Sequence, residues 1–416
     1  MILDASRGTN FPEGGVFVDW HLPILVGHLV LVLVLLFSAV VLWVNLRLLP
    51  RLRCEAEGSP DEDAPLVSVL VPARNEAANI EKCVASLLAQ DYPRFQVRVL
   101  DDHSEDDTAA RVRALGLTEE NGGLVAGQDL PEGWVGKNWA CHQLSRLAEG
   151  EYLLFTDADT VHAPEVLSAL VRTAREHRAD LVSAWPRQIV GHWSEKLVVS
   201  LLPFAGALYY PHGLLWWLGR YPGWRRMVPR GLRRHLGAAN GQVLFFSRTG
   251  YDAVGGHEAL RGHLVEDVAL GRAMAERMGE GLWWVNVDSG GMVSCRMYRS
   301  LGQVWEGFTK NARAVFEESL WGFVFAGLGQ VVLMILPFVW VFLPLPCRGL
   351  AGLEVGLILG LRAAVTVRLG GSWWSVWLHP LAWLMAVAIG LNSWRRTGGR
   401  GVVWKGRLYS VKSPKT

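Results

Sequence analysis

The stretch LLFTDADTVHAPE, residues 153–165, decides how this chain is read. An apolar run breaks off at Asp157-Ala158-Asp159, which sets two carboxylates one residue apart. In an extended chain, side chains at i and i+2 point the same way. The two acids are therefore expected side by side at the end of a buried strand, where their charges repel unless a cation or a polar partner offsets them. A hard divalent cation such as Mg²⁺ or Mn²⁺ takes oxygen ligands and leaves positions open for phosphate oxygens. The same triplet in a surface loop is an ordinary solvated turn, so the surrounding sequence has to decide between the two.

Working outward, residues 65 to about 180 alternate strand and helix patterns. LVSVLVPA (66–73) and FQVRVLDD (95–102) read as strands, as does EYLLFTDAD (151–159). AANIEKCVASLLAQ (77–90), DDTAARVRALG (106–116) and GKNWACHQLSRLAEG (136–150) read as helices. This alternation predicts an α/β fold with a mostly parallel sheet covered on both faces. Ligands of such sheets bind at the carboxyl ends of the strands. The acids gather there: Asp101 and Asp102 after one strand, Asp157 and Asp159 after another.

Other motifs share this placement. VPARNE ends the first strand with Pro72, Asn75 and Glu76, a strand-to-helix turn able to wrap a nucleotide base or simply to start a helix. Asp101 and Asp102 suit hydrogen bonding to nucleotide hydroxyls and amides. For Ser104, Asp106 and Asp107 helix capping is the better reading. GWVGKNWA (133–140) puts Lys137 behind a glycine at a helix start, a seat for a diphosphate or a solvated lysine. LVEDVALG places Glu266 and Asp267 at another helix start, where a carboxylate serves either as general base on an acceptor hydroxyl or as a cap. GAANGQVLFFSRTGYDAVGGH (237–257) precedes it, and its small residues allow close backbone approach by a ligand.

The apolar residues are clustered. His21–Leu46, Leu320–Cys347 and Leu369–Trp394 lack Asp, Glu, Lys and Arg and are long enough to cross a bilayer as helices. Gly349–Val367 is a weaker candidate because it holds Glu354 and Arg362. Leu197–Gly219 is also uncharged, but Pro203 and Pro211 interrupt it and arginines follow, so an interfacial or re-entrant segment is expected. The acidic residues before His21 argue for a retained anchor over a cleaved signal peptide. Arg47, Arg51 and Arg53 then put the following domain in the cytoplasm. Three crossings after that domain would leave the basic tail outside, against the charge rule, and the sequence leaves this conflict open. A formal net charge of +2 gives no footing for nucleic-acid binding. The five scattered cysteines form no zinc or disulfide pattern. The expected organisation is an anchor segment (1–53), a linker (54–64), a cytoplasmic catalytic domain (65–315), two or three membrane segments (316–396) and a basic tail (397–416).

In order and spacing, VSVLVPARNE, VLDDHSEDDT, GWVGKNWA, FTDAD, GAANGQ and LVEDVALG together resemble a membrane-bound family 2 glycosyltransferase. Within it, GWVGKNWA and WKGRLY (404–409) look most like enzymes that glycosylate hydrophobic acceptors: carotenoid (hydroxychlorobactene-type), hopanoid-associated and, more distantly, ceramide glucosyltransferases. The resemblance implies a GT-A fold, a nucleotide-diphosphate-sugar donor (a UDP-sugar foremost), a divalent cation and inversion at the anomeric carbon. It implies that Pro72, Glu76, Asp101 and Asp102 contact the donor, that Lys137 faces the diphosphate, and that Asp159, supported by Asp157, binds the metal. Asp267 would be the catalytic base, with Asn240, Gly241, Glu266 and Trp305 on the acceptor side. YRSLGQVWEGFTKNAR (298–313) has no Arg-Trp pair in the register used by processive polymer synthases. Its Trp305, Lys310, Asn311 and Arg313 read better as an interfacial amphipathic helix. The expected activity is transfer of one sugar to a membrane lipid at the cytoplasmic face of the inner membrane. Extension of an undecaprenyl-linked or other polysaccharide precursor, and a non-catalytic subunit that binds a nucleotide sugar, are the alternatives.

Overall fold

The computed structural model describes residues 21–53, 63–316, 319–343, 348–397, 402–404 and 407–409. The acidic residues ahead of His21, most of the linker, Cys54, Cys347 and most of the basic tail lie outside these residues.

The central sheet has seven strands. They are β1 (Val67–Ala73), β2 (Phe95–Asp101), β3 (Leu124–Ala126), β4 (Tyr152–Thr156), β6 (Leu181–Trp185), β8 (Val243–Ser247) and β9 (Trp284–Asp288). Their spatial order is β3-β2-β1-β4-β8-β6-β9. β1 runs parallel to β2 and to β4, with Val67 opposite both Phe95 and Tyr152, while β8 runs antiparallel to both of its neighbours. This is the mostly parallel α/β sheet that the strand-helix alternation predicts. β1 sits centrally because its apolar run can be buried on both faces: Val67, Val69, Leu70 and Val71 are fully buried. Each such side chain contributes about 1.5–3 kcal/mol on leaving water. A small second sheet, β5 (Thr160–His162), β10 (Val293–Cys295) and β7 (Arg187–Gln188), closes over the carboxyl end of β4.

The flanking helices are α2 (Ile80–Leu88), α3 (Thr108–Ala114), α4 (Gly136–Leu147) and α5 (Val166–His177). α2 buries Ile80, Cys83, Val84 and Leu87, the i, i+3, i+4, i+7 stripe of a helix laid on a sheet. The loops after β1 and β2 are laced together. Asn75, at φ 51°, accepts from the Glu105 N–H through its side chain, and Ser104 Oγ accepts from the Asn75 N–H. Asp106 takes the Thr108 N–H as a helix cap does, and also the Ala77 N–H.

The apolar segments surround α1 (His21–Leu48). The interrupted stretch forms a π-turn at Glu195–Val199, then α6 (Leu201–Tyr209) and α7 (His212–Arg220), bent by 50° at Pro211. α8 (Arg230–Leu236), α9 (Arg248–Ala253), α10 (Gly256–Ala259) and α11 (Glu266–Glu276) complete the domain, and α12 (Leu301–Val315) leads out of it. α13 (Leu320–Gln330), a π-turn and α14 (Leu336–Trp340) make one apolar rod, and α15 (Arg348–Leu369) returns alongside α1. Among the described residues three helices are long and apolar enough to cross a membrane: Leu22–Leu48, Leu320–Trp340 and Arg348–Leu369.

Two expectations change here. The segment weakened by Glu354 and Arg362 is a continuous helix, because both charges are buried and partnered. Glu354 pairs with His28 of α1 at 2.8 Å, and Arg362 donates to the carbonyls of Ser200 and Ser375. The uncharged Leu369–Trp394, in contrast, does not form one span. It turns at Gly370 (φ 77°) and breaks into α16 (Trp374–Trp377) and α17 (His379–Thr397). α17 folds back along α12, where Ser393 Oγ donates to the Thr309 carbonyl and Asn392 to Thr309 Oγ1. Asp288, at the end of β9, fastens α1 and α15 to the domain. Its backbone exchanges hydrogen bonds with Pro50 and Leu52, and its carboxylate binds Arg368 at 2.5 Å.

Candidate active site

The site lies at the carboxyl ends of β1 and β4, where α4 and α11 begin. Val135 N–H donates to the Arg261 carbonyl, and Asn138 Nδ2 donates to the carbonyls of Leu260 and His263. These bonds draw the start of α4 against the loop before α11, so Lys137 meets Glu266 across a gap that the sequence leaves at more than a hundred residues. Asn138 is fully buried in that role, and no motif in the sequence announces it.

β4 ends at Thr156, one residue before the acids, and residues 157–160 form a turn. Thr160 closes it by donating its hydroxyl and its N–H to the Asp157 carbonyl. The acids therefore do not share a strand face as expected, and each takes its own partner. Asp157 Oδ1 lies 2.7 Å from Lys137 Nζ. Asp159 hydrogen-bonds the Cys295 thiol and accepts the Arg296 N–H through its carbonyl. Lys137 is thus the cation that offsets the charge, and its Nζ also lies 2.6 Å from Glu266 Oε1. Burial works against the ammonium, but Asp157 and Glu266 overcome it and hold the Lys137 pKa well above the usual lysine range. Burial pushes the Glu266 carboxyl up, yet the Lys137 charge and hydrogen bond bring it below the ordinary value.

Among the described residues Asp267 has no such cation in contact. Gly241 N–H donates to its Oδ2 and Val268 N–H to its Oδ1, both at 2.8 Å. Burial first, and the neighbouring Glu266 charge second, push its pKa up to about 6, against the pull of Lys137 and the two N–H groups. A carboxylate tuned in this way is a competent base near neutral pH. Gly241 is matched to it: a Cβ there would sit 3.1 Å from Asp267 Cβ and Oδ2. Gly241→Ala is expected to shift the carboxylate and lower kcat by about tenfold to a hundredfold. Donor affinity, read by isothermal titration, should stay within twofold of wild type.

The remaining expected residues divide. Pro72 lines the same cavity as Lys137, Asp157 and Gly241. Glu76 accepts from Asn79 Nδ2 and lies close enough, with Asp157 and Asp159, to raise the Cys83 and Cys295 thiols electrostatically. Asp101 ends β2 with a buried Oδ1 that has no hydrogen-bond partner among the described residues, and Asp102 is buried beside it. Asn240 Oδ1 accepts from the Gln242 N–H and so shapes the turn that carries Gly241. Trp305 packs into the apolar cluster between α12, α17 and the 195–199 turn. The opposite face of α12 brings Lys310 near enough to Glu266 to lower its pKa. Sequence reasoning passed over His257, which lines the cavity and bonds Tyr251 Oη at 2.8 Å; burial lowers its pKa to about 3 and keeps it neutral.

Among the described residues no group of three or more His, Cys, Asp or Glu is arranged to hold a metal. Asp157 and Asp159 are hard oxygen donors that fit a Mg²⁺- or Mn²⁺-type ion, the rest of whose coordination would come from phosphate oxygens and water.

Residues 68–246 match the model of the family described as glycosyl transferase family 2. Over 373 residues the chain is 26% identical to a 4,4'-diaponeurosporenoate glycosyltransferase of Staphylococcus aureus (strain MRSA252), covering 83% of this chain and 88% of that protein. It is 27% identical, with the same coverage, to the protein of that name from strain USA300. A mannosyltransferase, PcManGT from Pyrobaculum calidifontis, solved with GDP-Man and Mn²⁺, superposes with a TM-score of 0.49 at 19% identity, covering 89% of this chain and 99% of that one. A glucosyl-3-phosphoglycerate synthase from Mycobacterium tuberculosis, solved with Mn²⁺, UDP and phosphoglyceric acid, gives a TM-score of 0.42 at 21% identity over 65% of this chain and 85% of that one.

Proposed function

We propose that this chain, which carries a family 2 glycosyltransferase domain, moves one sugar from a nucleotide-diphosphate donor to a hydroxyl of a long apolar lipid such as a carotenoid. The observation that carries the proposal is the pairing of roles in one cleft. Lys137 gathers Asp157 and Glu266, while Asp267, two backbone N–H bonds from rigid, has its carboxyl raised to about 6. Asp101, Asp102 and Glu76 hold the nucleotide, and Lys137 turns to the diphosphate when the donor enters. Asp159 and Asp157 would hold the divalent cation, which supplies neutralisation of the leaving diphosphate.

In the transfer, the acceptor oxygen forms its bond to the anomeric carbon as the bond from that carbon to the diphosphate oxygen breaks. The hydroxyl proton passes to an Asp267 carboxylate oxygen, and attack in line with the leaving group inverts the centre. The base works only when ionised. The rate should therefore fall about tenfold per pH unit below about 6 and be level just above it, as read from kcat/KM between pH 4.5 and 8.

The membrane arrangement supports an apolar acceptor. On this reading α1, residues 320–340 and α15 cross the bilayer, and α17 lies along its cytoplasmic face against α12. Arg395 and Arg396 then stand on the same side as Arg47, Arg51 and Arg53, as the positive-inside rule asks. The bent pair α6–α7 lies at that surface, where a lipid would reach Asp267 sideways. The staphylococcal relative's name points to a carotenoid acid, so a carboxyl acceptor is the second reading. Such a group needs no base and would meet Asp267 and Glu266 as a third negative charge.

The test is transfer by purified full-length protein in detergent, given UDP-glucose, UDP-galactose or GDP-mannose with Mn²⁺ or Mg²⁺. Matched hydroxyl- and carboxyl-bearing carotenoids are the acceptors. One sugar added per hydroxyl acceptor is the expected result. A ladder of added sugars, or bound donor with no transfer to any lipid, would overturn it.

A further inference from the structure

A second cavity lies apart from the cleft, where α1 and α15 leave the apolar layer and meet the catalytic domain. It has a volume of about 590 Å³. Its wall carries four guanidinium groups, Arg47, Arg51, Arg53 and Arg368, together with His177 and Trp216. Among the described residues no carboxylate lines it. Asp288, just outside the lining, is already engaged by Arg368 at 2.5 Å and by Arg51 at 3.7 Å. Arg47 and Arg53 have no carboxylate partner among the described residues, although four like charges around one cavity repel. Such a concentration of unbalanced charge is stable in water but is built to meet an anion.

Its depth says which anion. Arg47 lies in the last turn of a candidate span and stands 5.7 Å from the ring of Trp43, itself 63% exposed. An aromatic ring and a cation paired at a helix end mark the boundary between hydrocarbon and headgroups. Arg368 occupies the matching place at the end of α15, and the half-exposed Trp216 of α7 closes the third side. The mouth is therefore at headgroup level, open to the layer from which lipids come. Basic pockets between membrane helices on the cytoplasmic side take anionic headgroups.

We propose that this cavity binds the phosphodiester headgroup of an anionic phospholipid, such as phosphatidylglycerol, and through it pins the ends of α1 and α15 to the domain. The headgroup phosphate sits among Arg47, Arg53 and the outward faces of Arg51 and Arg368. Its acyl chains follow α1 into the bilayer. Neither Asp267 nor Lys137 is involved, so the site is independent of the sugar-transfer reading.

The full-length protein, released from detergent in native mass spectrometry with equimolar phosphatidylglycerol and phosphatidylcholine, should retain phosphatidylglycerol preferentially. Arg47→Ala/Arg53→Ala removes the two guanidinium groups that Asp288 does not hold. It should weaken that retention by about tenfold to thirtyfold and lose the rise in Tm that phosphatidylglycerol gives wild type. Arg47→Lys/Arg53→Lys, which keeps the charge and the stem packing, should restore most of both. If the alanine variant is unfolded in detergent, the lysine variant and the wild-type lipid preference still decide the matter. Equal retention of the two lipids by wild type, or a Tm rise from soluble glycerol phosphate equal to that from phosphatidylglycerol, would overturn the proposal.

Discussion

Asp267→Asn is expected to lower kcat by about a thousandfold, within the range that a positioned base contributes, and to leave the donor Kd unchanged. The expectation rests on where the proton must go. Asp267 carries the raised carboxyl of the cleft, at about 6, and its two oxygens are aimed by the Gly241 and Val268 N–H groups. Glu266 is next to it but is a poor substitute, because Lys137 holds it ionised and lowers its proton affinity. The amide keeps the shape and can still accept from Gly241, so the variant should fold. It has no lone pair basic enough to take the acceptor proton. Donor affinity is spared because Lys137 contacts Asp157 and Glu266 and not Asp267. A kcat within tenfold of wild type, measured at saturating acceptor, would place the base elsewhere.

The parts of this site legible in sequence are those carried by short-range rules. Strand-end position follows from apolar runs, and it located Asp101, Asp102 and Asp157 within a residue of the ends of β2 and β4, whereas Asp159 lies three residues past β4 in the turn. Helix-start position located Lys137, Glu266 and Asp267. What the sequence could not show is which of these groups touch, since the Lys137–Glu266 contact depends on Asn138 stitching two loops far apart in the chain. The same limit explains Trp305. An amphipathic helix displays two faces, and only packing against α17 shows that Trp305 is on the apolar side while Lys310 looks toward the site. Membrane segments failed in the opposite direction. Charge content demoted the segment holding Glu354 and Arg362, yet burial beside His28 and the Ser200 carbonyl removes the penalty that the hydropathy argument assumes. The uncharged Leu369–Trp394 was promoted by the same argument, which is blind to a turn at Gly370. With that turn the proposed arrangement has two crossings on the return path, and in it the conflict over the basic tail disappears.

Lys137→Met should be the most disruptive single change in the cleft, and it should act in three measurable ways. The methionine keeps the length of the stem but leaves Asp157 and the buried Glu266 facing each other without a cation. Breaking a fully buried pair costs about 3–5 kcal/mol. Lys137 and Asp157 are each about a third exposed, so solvent screening reduces this to about 1–3 kcal/mol, visible as a lower Tm. Next, the acidic limb of the pH–rate profile should move upward from about 6, because Lys137 is one of the influences that lowers the Asp267 pKa. Its removal leaves burial and Glu266 less opposed, so a higher pH is needed to ionise the base. Finally, Mn²⁺ should raise the Tm of the variant more than that of wild type. In the wild type an incoming cation competes with the ammonium for Asp157, whereas in the variant it meets a carboxylate with no rival. A variant with wild-type Tm, an unmoved acidic limb and the same Mn²⁺ response would show that the Lys137 bridge is incidental and that Asp267 takes its tuning from burial and Glu266.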